Sequence, residues 1–239
     1  RPTVHRIMLT LEELGYVVQT DKGYYLSAKV IELGVSYIAT RGFYGAARPH
    51  LEQLAAHIDQ SVSLCELVDS DIVVIGRAEV PKVVAYNAAL GQRLPAHSTA
   101  LGRVLLAGLD EETLDQRLAI PSLSAMQPLS TISPESLRTE IDAARRQGWA
   151  FVDQTMSIGY HAIAAPIRDA TDQTVAAIGI IVHGTDVSRD KLLGDILPLL
   201  TDTAAAISAD FAHMSHLPRS RTKPVEPGYV NFSSTSTPA

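Results

Sequence analysis

The stretch from Arg1 to Leu26 carries an apolar stripe that its own neighbours are too few to bury, and that limits what the chain can fold into. Val4, Ile7, Met8, Leu11 and Leu14 recur at helical spacing. Arg1, Thr3, His5 and Arg6 crowd the first turns on the faces the stripe leaves free. Pro2 suits a helix start, and Gly15 ends the helix. Tyr16-Val17-Val18, Asp21-Lys22-Gly23 and Tyr24-Tyr25-Leu26 then read as a β-hairpin with a tight turn. A polar, basic helix start followed at once by a hairpin is the pattern of a recognition helix with its wing. Thr, His and Arg near a helix N-terminus reach base edges and phosphates, and a wing lysine reaches the backbone. An amphipathic helix and hairpin capping a larger domain fits the same residues equally well. Either way the stripe needs partner helices, and the expectation is that further helices belong before Arg1.

Composition narrows the class. At 239 residues, with 46% hydrophobic content and a net charge of −6, the chain holds one large or two small domains of soluble globular type. The acidic balance argues against nonspecific coating of nucleic acid, but not against a reader with positive charge confined to one end. Arg1, Arg6, Lys22 and Lys29 lie close in sequence. No apolar run approaches the roughly twenty residues of a membrane span, and no signal-peptide pattern is present, so the expectation is a cytoplasmic protein without membrane contact. The lone cysteine, Cys65, forms no intramolecular disulfide and sits in the alternating run 61–67, a strand position rather than a nucleophile.

The pattern predicts a helix over 28–40, a glycine-bearing hinge at 41–45 and a second helix over 46–58, together a connector suited to dimer contacts. Strands are expected near 61–68, 72–77, 83–87, 149–152, 162–168 and 175–182. Helices are expected over 98–109, 111–118, 134–147 and 188–213, the last kinked at Pro198. Residues 90–95 read as a loop. This order suggests an antiparallel or mixed sheet flanked by helices, and the Pro-, Ser- and Thr-rich end reads as a disordered tail.

Two segments carry candidate chemistry. In 93–103, proline ends an extended stretch and Ser98 or Thr99 caps the next helix. Its exposed N–H groups and positive dipole end seat an anion, with His97, Ala100 and Arg103 on the same approach. A plain capped helix with solvent-facing His and Arg is the competing reading. In 153–167, a polar turn leads into an apolar strand and places Asp153, Tyr160 and His161 at its mouth, where they address ring hydroxyls or merely decorate a loop. Gly179 permits close approach to the 175–182 strand. Enzyme signatures are missing: no GxSxG elbow, no glycine-rich phosphate loop, no HExxH. Nothing aligns Ser98, His161 and Asp153 as a triad, and His213 with His216 lacks an acidic or cysteine partner. No cofactor or metal is expected.

The runs at 2–17, 23–34, 90–109, 148–169 and 176–182 resemble, in this order, the IclR-type transcriptional regulators. The wording is most similar to the branch controlling protocatechuate and β-ketoadipate catabolism. The resemblance implies an α+β protein: a truncated N-terminal winged helix-turn-helix (1–27), a helical linker (28–59), a GAF-like effector-binding domain (60–214) and a tail (215–239). It implies a homodimer or homotetramer on a double-stranded DNA operator, modulated by a small organic acid, aromatic or dicarboxylic. Carried over residue by residue, Arg1, Thr3, His5, Arg6 and Lys22 fall in the DNA-reading part. Ala100, Leu101, Asp153, Ala162, Gly179 and Ile181 match effector-pocket positions, beside His97, Ser98, Thr99, Arg103 and His161. Relatives that bind small oxo-acids carry serines at the places of Gly179 and Ile181, and many members carry Arg at the place of His161. A wider, less polar pocket favours a larger aromatic acid. A sensor acting through a protein partner and a small-molecule hydrolase are the rival readings.

Overall fold

A computed structural model describes residues 2–41, 43–82 and 88–216. Arg1, the hinge residue Gly42, the expected strand over 83–87 and the tail beyond His216 lie outside the described residues. Helix α1 (Pro2–Glu13) ends as its glycine requires: Gly15 takes φ +77°. Its N–H bonds Glu12 O at 2.8 Å while Tyr16 N–H bonds Leu11 O at 2.8 Å, which satisfies the last carbonyls of the helix. The hairpin follows as β1 (Val17–Thr20) and β2 (Gly23–Leu26), with Thr20 opposite Gly23. Then come α2 (Val30–Arg41) and α3 (Phe43–Ile58). Helix α3 begins three residues earlier than its spacing suggests and keeps Pro49 inside it.

The larger remainder is built on β3 (Val62–Val68), β4 (Asp71–Ala78), β5 (Arg93–Pro95), β6 (Ala150–Asp153), β7 (Tyr160–Arg168) and β8 (Thr174–His183). They form one sheet in the order β5-β4-β3-β8-β7-β6. Every neighbouring pair is antiparallel, so the sheet is not mixed. The expected loop over 90–95 is corrected in part, because Arg93–Pro95 pairs with β4 from Asp71 to Val73. An edge position tolerates Pro95, which has no N–H to give.

Strand alternation separates the two faces. On one, Val62, Leu64, Ile163, Ile167, Ile178, Ile180 and Val182 pack against α3 and the last helix. On the other, Ala164, Ala177, Cys65, Ile72 and Val74 meet α4 (Ala100–Ala107), with α5 (Glu111–Ala119) and α6 (Pro134–Gln147) outside it. The two faces differ in bulk. The second is lined by small side chains along β7 and β8, so α4 comes close. The ends of α6 follow the sequence signals: Ser133 Oγ accepts from Ser136 N–H, and Gly148 takes φ +79° after it.

The last helical run starts with α7 (Arg189–Lys191), widens through a π-type turn at Leu192–Ile196 and continues as α8 (Leu197–His216). The wide turn sits immediately before Pro198, whose missing N–H and bulky ring disturb the preceding turn. Residues Arg189–His213 are long and apolar enough to cross a membrane by length and composition, with mean hydropathy 1.3, a signal absent from the expectation above. However, Leu192, Ile196, Leu200, Ala204 and Ile207 are buried against the sheet and α3. That is the pattern of a core helix.

Candidate ligand-binding site

The site is made where β5 turns into α4. Pro95 closes the strand, Ala96–Ser98 form a short 3-10 turn, and Thr99 is extended. Thr99, not Ser98, caps α4: its Oγ1 accepts from Gly102 N–H at 3.0 Å. The helix therefore begins at Ala100 rather than at Ser98. Gly102 lets the turn fold back on the helix, since a Cβ there would lie 2.1 Å from Ala96 O. Ser98 is 1% exposed, and its Oγ has no protein hydrogen-bond partner.

Arg103 does not reach the same space. Its guanidinium donates to His97 O at 3.1 Å and to Glu140 on α6, and the residue is 5% exposed. Burial lowers its pKa from the ordinary arginine value, which the facing Glu140 partly opposes. His97 is half-buried. Burial pushes its imidazole pKa down, Arg103 pushes it the same way, and Asp71 opposes. Neither His97 nor Arg103 lines the cavity described next, so of the residues expected at this turn only Ser98, Thr99, Ala100 and Leu101 border it.

That cavity opens to solvent, and its empty space together with the solvent at its mouth amounts to about 490 Å³. Buried Ile72, Leu94, Ser98, Thr99, Ala100 and Leu101 form its inner end. Val152, Ala162 and Ile181 form its floor on the sheet, and Thr155, Met156, Ser157 and Tyr160 its outer end. The walls are mainly hydrocarbon, with hydroxyl groups at both ends and no lysine or arginine among the lining residues. This is the usual make-up of a small-molecule pocket. The connection before α6 rests on the mouth, where Leu129 N–H bonds Thr155 O at 2.8 Å. A buried carboxylate anchors its far end: Asp71 accepts from Arg93 Nε at 3.1 Å, Ser122 Oγ at 2.5 Å and Leu123 N–H at 2.9 Å.

Register changes the reading of Asp153 and His161. They pair with each other across β6 and β7, and His161 Nδ1 lies 3.0 Å from Asp153 Oδ1 without the alignment of a hydrogen bond. Tyr160 and Ala162 point to the α4 face, so by alternation His161 and Asp153 point to the other. Consistently, the His161 ring stacks on Phe151 at 6.1 Å, and the Arg189 guanidinium lies 5.0 Å over Phe151. His161 thus borders the cavity by its edge, while Asp153 is outside the lining. Gly179 also lies outside it. A Cβ there would fall 2.8 Å from Leu101 Cγ and 2.9 Å from Ile163 O. The close approach it permits is that of Leu101, which thereby holds α4 down over the sheet.

Residues 35–209 match the family model for the bacterial transcriptional regulator IclR C-terminal region. The chain belongs to the IclR family. It is 35% identical over 214 residues to the Pca regulon regulatory protein of Pseudomonas putida, covering 89% of this chain and 72% of that one. Among solved structures, a transcriptional regulator from Rhodococcus sp. RHA1 superposes with a TM-score of 0.74 at 36% identity, covering 89% of this chain and 85% of that one. The inducer-binding domain of a double mutant of PobR from Acinetobacter, in complex with 3-hydroxybenzoic acid, gives a TM-score of 0.61 at 28% identity, covering 68% of this chain and 95% of that one. IclR membership makes the chain a transcriptional regulator of α+β fold, not an enzyme.

In this IclR protein the residues expected to face DNA are displayed rather than packed. Thr3, His5 and Arg6 on α1 and Lys22 in the hairpin turn are exposed. Met8 and Leu11 are half-buried, but Val4, Ile7 and Leu14 are 63%, 54% and 51% exposed, so the stripe is not covered by the larger domain. Lys29 serves α1 itself: its Nζ donates to Leu14 O at 2.9 Å and lies 5.2 Å over the Tyr16 ring. Sequence reasoning missed Ile72, Leu94 and Val152 as cavity walls. Ile72 and Val152 lay in expected strands and Leu94 in an expected loop, and only the pairing of β4, β5 and β6 to their neighbours brings all three under α4.

Proposed function

We propose that this IclR regulator senses a small aromatic hydroxy acid in the cavity between α4 and the sheet, and that the bound acid alters its hold on an operator. The observation that carries the reading is the buried, unpartnered Ser98 hydroxyl at the inner end of an apolar cavity, beside the start of α4. A carboxylate placed there accepts from Ser98 Oγ and from backbone N–H groups of the first turn, at the positive end of the helix dipole. The ring packs between Leu101, Ala162 and Ile181, and ring hydroxyls meet Tyr160, Ser157 or Thr155 at the outer end. The hydrocarbon walls favour a ring over a short oxo-acid. The likeness to a PobR domain in complex with 3-hydroxybenzoic acid supports this chemistry.

Thr3, His5 and Arg6 enter the DNA groove and Lys22 touches the backbone in this reading, with Arg1 just before them. The exposed apolar side chains of α2, Ile31, Leu33 and Val35, suit a homodimer or higher homo-oligomer, and sedimentation measures that state directly. The protein works in the cytoplasm, on the chromosome. Calorimetric titration with protocatechuate, 4-hydroxybenzoate, β-ketoadipate and pyruvate tests the ligand. Saturable binding of the aromatic acids and weaker binding of pyruvate are expected, and heat from none of the four removes the assignment.

A further inference from the structure

Helix α2 meets the sheet through a tyrosine. Tyr37 donates its phenolic hydrogen to the carboxylate of Glu66 on β3. Glu66 is 6% exposed, so the acceptor side of this bond is shielded from water, which strengthens it. Glu66 pairs with Val73 across the β3–β4 ladder, and the next pair is Leu67 with Ile72. By strand alternation Ile72 points to the opposite face, where it is part of the inner end of the cavity. One strand pair therefore presents a cavity wall on one side and the anchor of the linker helix on the other.

We infer that the Tyr37–Glu66 bond seats the linker helix on the ligand domain and passes the position of the cavity wall at Ile72 to it. A shift of Ile72 carries its strand neighbour Val73, and the ladder carries Glu66 with it. The helix follows because its tyrosine is tied to that carboxylate. The strand pair and the hydrogen bond form one contiguous physical path from the cavity wall to the helix, the kind along which coupling is carried. The transmission half rests on the effector reading above, whereas the seating half does not.

Tyr37→Phe removes only the hydroxyl of a residue 40% exposed, so folding is not at stake. By hydrogen exchange on the full-length protein without ligand, α2 amides should exchange about tenfold faster in the variant, the scale set by loss of one hydrogen bond to a charged group. Amides of β3 and β4 should keep their protection. Equal exchange in α2 overturns the seating. With protocatechuate and 4-hydroxybenzoate as probes, calorimetry should give matching affinities for both proteins, with α2 exchange responding to ligand in the wild type alone. A full α2 response in Tyr37→Phe overturns the transmission. If neither protein binds either acid, the effector reading falls, and the ligand-free comparison still decides whether Tyr37 seats the helix.

Discussion

Replacing Ser98 by alanine should make the free protein more stable and a worse sensor. Ser98 is 1% exposed and its Oγ has no protein partner. A buried, unsatisfied polar group costs about 1–3 kcal/mol, and alanine removes the group while leaving a methyl-sized side chain in place. The gain should be about 1 kcal/mol after the small loss of packing. For a domain of this size, that raises the melting temperature by about 2–4 °C. The same change removes a donor to a bound carboxylate, a bond worth about 1.5–3 kcal/mol, so the dissociation constant should rise by about tenfold or more. Urea unfolding and differential scanning calorimetry read the first effect, and calorimetric titration with protocatechuate reads the second. A lower melting temperature with unchanged affinity would refute the argument. It would mean that the hydroxyl is already satisfied in the free protein and does not face the ligand.

Four other outcomes follow from contacts already described. Gly179→Ala should cost about 1–3 kcal/mol in urea unfolding, because its Cβ would meet Leu101 Cγ at 2.8 Å and the backbone oxygen of Ile163 at 2.9 Å; an unchanged midpoint would show that α4 is free to lift. Glu140→Gln leaves the guanidinium of buried Arg103 without its countercharge. Glu140's side chain is 45% exposed, which holds the loss to about 1–2 kcal/mol, measured the same way. Because burial holds the folded-state pKa of His97 below its ordinary value, the unfolded chain takes up a proton first as pH falls. Stability contributed by the neutral imidazole is thus complete above the unfolded pKa of about 6.5 and is lost as pH drops through it toward the lower folded value. His97→Gln should flatten that part of the stability–pH curve, and an unaltered curve would remove His97 as its source. Arg6→Ala should weaken operator binding of the full-length regulator by about 1–3 kcal/mol if Arg6 reads a base, a loss that a mobility-shift titration resolves.

Much of the architecture was legible because the signals were local. Gly15 and Gly148 end helices by taking positive φ, Ser133-Pro134 opens α6, and the expected hairpin forms with Asp21-Lys22 at its turn. The site was legible only in its segments. Both the turn before α4 and the β6–β7 connection stand at the cavity, yet the roles within them were redistributed by pairing. A one-residue alternation sends His161 and Asp153 to the face of Phe151. Arg103 looked like an anion ligand from its place one turn into a helix, but Glu140 is 37 positions away and meets it only through the packing of α6 on α4. Asp71 is a similar case. It opens β4 directly after a tight turn, yet it is fully buried and accepts from Ser122 Oγ and Leu123 N–H, some fifty positions away. Long-range partners of this kind have no period in sequence, so no pattern reading recovers them.

The unequal bulk of the two sheet faces connects these observations. Isoleucines on β7 and β8 are buried on the side that faces α3 and α8, where they form the bulkier of the two cores. On the opposite side Ala164, Ala177 and Gly179 leave the first turn of α4 close to the strands, where Leu101 sits against Gly179. The same small residues leave a gap toward the strand ends, between Ala162, Ile181 and the start of the helix. A uniformly bulky face would have lifted α4 and closed that gap with side chains. The cavity is therefore a consequence of where the sheet is thin, and its hydroxyl-bearing inner end is there because Thr99 alone caps the helix. Had Ser98 capped it, the Ser98 hydroxyl would be spent on the backbone instead of standing unpaired at the inner end.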